Sequence, residues 1–413
     1  MPKSLVGHVP DAWNVTTLGE LCISGDGGIQ TGPFGSQLHA ADYISDGIPS
    51  VMPQNIGDNE IIEDGIARIS EADAQRLSRY QLKAGDIVYS RRGDVERRAF
   101  VRPREEGWLC GTGCLRVRVG HAANPRFVSY YLGHPGVREW IVRHAVGATM
   151  PNLNTAILSA VQIALPPNRE QAEIAALLGV LDDKVYSNDA SVRIIHDLMR
   201  FYYAEAVMQG SVTTTVGDAA EVFDGPHATP QKTTAGPWFL SISSLQGGHL
   251  VLSQSAHLGE QDFTQWTRRV TPTAGDVLFS YETRLGEAAL MPSEVRACLG
   301  RRMALLRPRA AAVGPRTLLQ AYLSESFQVT IKQRSVHGAT VDRIPLTELP
   351  TWPITLPDDA NQLEELLGGL DDMAAQRDRE NEILVDLRET LLPKLMSGEI
   401  RVRDAEKVVE EVL

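Results

Sequence analysis

Apolar and polar positions along this chain follow two rhythms. Leu115-Arg116-Val117-Arg118-Val119 alternates residue by residue, the pattern of a half-buried strand. Ile87-Val88-Tyr89, Val277-Leu278-Phe279 and Met303-Ala304-Leu305-Leu306 are short apolar runs that also predict strands. Val161-Gln162-Ile163-Ala164-Leu165-Pro166 and Trp352-Pro353-Ile354-Thr355-Leu356-Pro357 predict strands closed by proline, which cannot continue a ladder. Helix is expected around 71–80 and 127–145. The second rhythm alternates steps of three and four. Leu178, Leu181, Val185, Asn188, Val192, Ile195, Met199, Tyr202 and Ala206 keep it, broken only by Asn188, and this is a coiled-coil seam. The seam runs from 178 to 206, roughly 43 Å at about 1.5 Å per residue. Leu363, Leu366, Leu370 and Met373 start a similar seam, which Leu384, Leu387 and Leu391 continue across a polar middle. Pro393 should kink or end that helix near Leu392, and Gly398 suits a C-cap.

These elements occur twice. Ala84-Gly85-Asp86-Ile87-Val88-Tyr89-Ser90 returns as Ala274-Gly275-Asp276-Val277-Leu278-Phe279-Ser280, 190 residues later. Gly147-Ala148-Thr149 returns as Gly338-Ala339-Thr340, and Leu181-Asp182-Asp183 as Leu370-Asp371-Asp372, at offsets of 191 and 189. A period this long is a duplicated domain plus its connector, since solenoid repeats run about 20–50 residues. Four segments follow: a module over 1–166, a helical spacer over 167–210, a second module over 211–357, and a second spacer with a C-terminal tail over 358–413. The fold class is α+β, with two duplicated α/β modules joined by two long helices. Neither helix can bury its seam alone. An antiparallel coiled-coil spacer is the simplest pairing, and it would relate the modules by a pseudo-two-fold axis. A spacer of about 43 Å matches roughly 12–13 base pairs of duplex at ~3.4 Å per step.

Composition changes this picture only in its distribution of charge. The 413 residues carry a net charge of −12, which argues against a nucleic-acid binder. Residues 1–166 are nearly balanced at −1 and residues 211–357 at +1, whereas 358–413 hold −9. Near-neutral modules can still present basic faces, to which phosphate binding responds. Four cysteines, Cys22, Cys110, Cys114 and Cys298, complete neither a disulfide framework nor a zinc site. No metal site and no nucleotide fingerprint is expected. With no membrane-length or signal-length apolar run, a cytoplasmic protein is expected.

The order of features resembles the specificity subunits of type I restriction–modification systems, over essentially the whole chain. The residues that carry it are Gly32-Pro33-Phe34-Gly35-Ser36, Leu82-Lys83-Ala84-Gly85-Asp86-Ile87 and Gly147-Ala148-Thr149-Met150-Pro151-Asn152-Leu153. Further carriers are Leu165-Pro166-Pro167 with Glu170-Gln171, Leu181-Asp182-Asp183-Lys184, Gly338 to Ile344, and the tail from Leu391 to Ile400. The second half departs from the pattern, with Phe223-Asp224-Gly225-Pro226-His227 in place of the Gly-Pro-Phe-Gly-Ser loop and Asn361-Gln362 in place of Glu-Gln. The resemblance implies two target-recognition domains that read a bipartite double-stranded DNA sequence. It implies a non-catalytic chain that binds two methyltransferase subunits, which methylate adenine with S-adenosylmethionine, and that also joins two restriction subunits where these are present. No cofactor is expected in this chain itself. The alternative function is a scaffold that joins two partner proteins and never touches DNA.

Candidate DNA contacts are residues that match base edges or phosphates. In the first module they are Arg91, Arg92, Arg97 and Arg98 around Gly93, with a solvated Arg–Glu hairpin as the competing reading. Gly32, Phe34, Gly35 and Ser36 form either a phosphate loop or a structural turn with Phe34 in the core. In the second module the candidates are Tyr281, Thr283 and Arg284, then Arg301 and Arg302, with His337 and Asn152 weaker. The repeated Gly-Ala-Thr is assigned to structure, because half-site readout should differ between modules. Asp182-Asp183 and Asp371-Asp372 are expected on coiled-coil flanks.

Overall fold

The computed structural model describes residues 3–412 except 148, 149, 310, 311, 337, 339 and 340. The contacts divide the chain into two compact units, Met1–Tyr186 with Asn381–Leu413, and Ser187–Glu380. Each unit holds one module together with a part of each long helix, Asn168–Gln209 and Ala360–Ser397.

In the first unit the central sheet has the order Gly28–Thr31, Cys114–Arg118, Ile87–Ser90, Arg98–Phe100, Asp58–Asn59. All neighbours are antiparallel except the last pair. Asn14–Thr17 pairs with Gln162–Leu165, so the module is zipped shut where the chain enters and leaves it. In the second unit Ala220–Asp224, Met303–Pro308, Val277–Ser280 and Ala288–Leu290 repeat the antiparallel order. Ser211–Thr215 and Pro353–Pro357 zip that module. A threonine at the end of each opening strand, Thr17 or Thr215, caps the helix that follows with its hydroxyl. The predicted helix over 127–145 is two helices, Pro125–Leu132 and Pro135–His144. Pro135 cannot donate a helical hydrogen bond, and His134 caps the second helix through its ring nitrogen.

The long helices run antiparallel within each unit. In the first, Asp182 pairs with Arg388 at 2.9 Å, while Arg401 acts electrostatically on Glu170 at the opposite end. In the second, the Asn188 amide donates to Glu380 at 3.0 Å and the Asp358 N–H donates to the Gly210 carbonyl at 2.9 Å. Leu178, Leu181, Val192, Ile195, Met199, Leu363, Leu384 and Leu391 are buried, with Val185 and Leu370 packed beside them. Leu366 corrects the expected seam: it is 43% exposed, and Leu367 and Ala374 take the inward positions. Tyr203 likewise replaces Tyr202. Pro393 does not end the second helix, which continues to Ser397 and stops at left-handed Gly398. Burial of Leu391, Leu392, Leu395 and Met396 on both sides of the proline offsets its cost of about 3 kcal/mol. The final helix, Val402–Val412, lays Ala405 against the same core.

One buried polar cluster ties the first module to both helices. Asp182 accepts from the Tyr130 hydroxyl at 2.6 Å, the Asn59 amide at 3.1 Å and Arg388. Arg388 also reaches Asp58 at 2.7 Å. Burial and the adjacent carboxylate push the Tyr130 pKa well up, which keeps that hydroxyl a donor. Removing Arg388, the only cation paired with Asp182 among the described residues, leaves a buried carboxylate uncompensated. Arg388→Ala should destabilise the chain by about 3–5 kcal/mol, read by denaturant unfolding, whereas a pair worth no more than an exposed one would cost under about 1 kcal/mol.

Candidate nucleic-acid interface

Antiparallel pairing brings three loops to one end of each central sheet. Gly28–Thr31 and Ile87–Ser90 both end where Cys114–Arg118 begins, as the pairs Leu115–Thr31 and Cys114–Ser90 show. The loop after Thr31, the loop after Ser90 and the turn before Cys114 therefore converge. The sequence candidates Gly32, Phe34, Gly35, Ser36, Arg91, Arg92 and Arg97 all lie on them. The second unit does the same with the loops after Asp224 and Ser280 and the turn before Met303. Tyr281, Thr283, Arg284, Arg301 and Arg302 fall there.

In the first unit the Gly32 N–H donates to the Cys114 carbonyl at 2.9 Å. A Cβ on Gly32 would stand 2.1 Å from the Gly111 carbonyl oxygen, so only glycine fits. Gln37 steadies the loop by accepting from the Phe34 N–H at 3.2 Å and from the Tyr80 hydroxyl at 2.9 Å. Phe34 is not in the core: it is 56% exposed, beside exposed Gly35 and Ser36. In the second unit the Gly225 N–H donates to the Met303 carbonyl at 3.1 Å. Gly225-Pro226-His227 is thus the structural equivalent of Gly32-Pro33-Phe34, despite the divergence in sequence.

The loop after the third of these strands is clamped through its backbone. The Arg91 N–H donates to Gly113 and its carbonyl accepts from Leu153, both at 2.8 Å. Tyr281 is held the same way, by Arg302 at 3.1 Å and Ile344 at 2.9 Å. Ser90 and Ser280 each donate to the carbonyl two residues on, at 2.8 and 2.7 Å. Backbone bridges Arg92–Asn152 and Glu282–Arg343 attach the segments that carry the repeated Gly-Ala-Thr. His337 lies outside the described residues, as do Ala148, Thr149, Ala339 and Thr340.

The side chains on this frame differ. Arg92 is exposed, and Arg97 is half-exposed in an ion pair with Asp94 at 2.6 Å. Arg98 does not join them. It is 3% exposed, donates to the Ser129 carbonyl at 2.6 Å and faces Asp58, because strand alternation turns it inward opposite Tyr89. In the second unit Tyr281 is buried, its hydroxyl 3.3 Å from His227, and burial raises its pKa to about 12. Arg284 folds back towards Ile242 and Glu287, whereas Arg301 is exposed. Arg302 pairs with Glu282 at 3.1 Å. Exposed Arg343 was not among the sequence candidates, although the 191-residue offset aligns it with Asn152. Arg268, Arg269, Trp266 and His227 line a cavity of about 400 Å³ beside the second Gly-Pro turn and were also missed.

The Gly-Pro loop offers a direct check. Gly32→Ala should cost about 1–3 kcal/mol of unfolding free energy through overpacking against Gly111. Gly35→Ala, with open space around it, should be close to neutral in the same melt. Equal effects would contradict the close approach.

The family model for the type I restriction modification DNA specificity domain matches residues 10–190. A Methanocaldococcus jannaschii protein named for the specificity subunit of the type I restriction enzyme MjaX is 22% identical, over 97% of this chain and 96% of its own length. The MjaIX specificity subunit of the same organism is 20% identical over the same shares. A crystal structure of a type I restriction–modification system S subunit from M. genitalium shares the fold, with a TM-score of 0.50 at 15% identity over 94% of this chain and 96% of that one. The match to the type I restriction modification DNA specificity domain thus lies on residues 10–190, and the second unit repeats the sheet order and the clamped loops of the first, as the chain's full-length similarity to type I specificity subunits would have it.

Proposed function

We propose that this chain reads a two-part DNA sequence, one half per module, and directs partner subunits that methylate adenine or cleave the DNA. One observation carries this reading: a single backbone frame presents different chemistry in its two copies. Arg91, Arg92, Gly93 and Gly113 in the first module stand where the second has Tyr281, Glu282, Thr283 and Arg302. Base readout depends on the donor and acceptor pattern of side chains, so one frame with exchanged side chains suits two unlike half-sites. Exposed Arg92, Arg97, Arg301 and Arg343 supply cations for phosphate contacts, which position the duplex.

Catalysis belongs to the partners. S-adenosylmethionine is bound by two methyltransferase subunits, joined by restriction subunits where these are present. Ile194, Leu198, Phe201 and Met208 form an exposed apolar stripe along the first long helix. Their spacing of four, three and seven is that of a helix-docking face, and this stripe receives a methyltransferase helix. Among the described residues no helix is long and apolar enough to cross a membrane.

Methylome sequencing of a host carrying the adjacent methyltransferase, with and without this chain, tests the reading. Methyladenine should appear at a two-part motif with a fixed gap only when the chain is present; methylation unchanged by its absence would favour the scaffold. Arg91→Ala, Arg92→Ala and Arg97→Ala together, with buried Arg98 left intact, should abolish recognition of one half. Ile194→Ser, Leu198→Ser and Phe201→Ser together should prevent co-elution with the methyltransferase while circular dichroism stays unchanged. Co-elution of the triple variant would refute the docking face.

A further inference from the structure

Among the described residues four non-glycine residues have a left-handed backbone, and two of them lie on the second interface. Thr283 has φ 72° and Arg302 has φ 70°. A β-branched residue at positive φ is an outlier, and arginine gains nothing from that conformation either. The first module meets the same geometry with glycine: Gly93 has φ 75° and Gly113 has φ 84°. The equivalence is structural as well as numerical, since Gly113 and Arg302 each accept from the clamped residue, Arg91 or Tyr281. The frame therefore requires left-handed backbone, and the second module pays for side chains that the first omits. Packing does not account for them. Thr283 is exposed, and the Arg302 side chain is 35% exposed. Strain kept at such positions points to use of the side chain.

The two strained residues meet. Arg302 Nη1 donates to the Thr283 hydroxyl at 3.2 Å, and Arg302 Nε stands 3.1 Å from Glu282 Oε2. The hydrogen bond at Nη1 and the ion pair with Glu282 hold the guanidinium in place, while Nε makes no hydrogen bond and Nη2 has no partner among the described residues. An arginine held in this way loses little side-chain freedom on binding, and its planar fork fits two adjacent acceptors. In the major groove guanine presents two, O6 and N7, whereas adenine offers N7 beside a donor. Other arginines of the module are less suited: Arg284 is turned back onto Ile242, and Arg301 is exposed with no hydrogen bond or ion pair among the described residues to fix it.

We infer that Arg302 is the guanine-reading side chain of the second module, and that the half-site taken by this module contains a G·C pair contacted from the major groove. The inference rests on the DNA-reading function proposed above.

Selection from a randomised duplex library by the full chain assembled with its methyltransferase provides the test. The parent should enrich a two-part motif, and Arg92→Ala identifies the half read by the first module. Arg302→Gly should retain the fold, because glycine suits φ 70° as it does at Gly113. It should relax one G·C position in the other half by about 5- to 150-fold in relative preference. Arg302→Lys keeps the charge and the stem but lacks the fork, and it should relax the same position, so the outcome does not depend on one variant folding. If the parent enriches no two-part motif, the underlying function fails. If the parent motif stands but both variants leave it intact, or the altered position is A·T, the inference about Arg302 alone is overturned.

Discussion

Everything the two modules present to solvent at this interface depends on a backbone clamp around one residue. The N–H and carbonyl of Arg91 are both bonded, to Gly113 and Leu153, and those of Tyr281 to Arg302 and Ile344. Backbone groups carry no side-chain identity, so the clamp is indifferent to which residue it holds. This is how a cationic arginine and a buried phenol occupy the same place in two copies of one domain. The sheet behind supplies rigidity, with Ile87, Val88 and Tyr89 buried in one copy and Val277, Leu278 and Phe279 in the other. A site built on such elements keeps its geometry while its chemistry changes.

The copies have also diverged where each module meets its helices. In the first unit Arg98, Ser129 and Tyr130 belong to the polar cluster that ends on Asp182. At an offset of 190 the second unit has Ala288, Leu319 and Gln320. It docks instead through Glu364, which accepts from the N–H groups of Arg316 and Thr317 at 3.1 and 2.8 Å, and through Arg316 with Asp371 at 3.0 Å. A carboxylate at the start of Pro315–Leu323 also satisfies donors that the helix cannot use itself. The two solutions serve one mechanical purpose, and only the first requires a fully paired buried charge.

Much of this was legible in the sequence because two periods are hard to confuse. Alternation located the strands, and the three–four rhythm located both long helices. The details that escaped are those where local pattern is degenerate. Leu366 and Leu367 are adjacent leucines, and either could extend the seam through a polar stretch; packing chose Leu367. Pro393 reads locally as a stop, yet the leucines on both sides are buried and carry the helix through. Arg98 looked like its neighbours Arg91, Arg92 and Arg97, and only strand register turns it inward. The sites were legible as loops at strand ends, but Arg343 required matching across the repeat rather than inspection of charge.

Exposed arginines are cheap to place, so Arg92 or Arg301 alone says little about what is bound. A left-handed threonine or arginine is different, at roughly 1–2 kcal/mol per residue. Gly93 and Gly113 show that the fold does not require side chains at these positions. Thr283 and Arg302 are therefore informative in a way that a count of positive charge is not. The duplication makes the argument possible, because one copy serves as the control for the other: the same clamp and the same φ, with and without a guanidinium. Where two copies of a frame disagree at a position that glycine would satisfy, the difference lies in what the loop must hold.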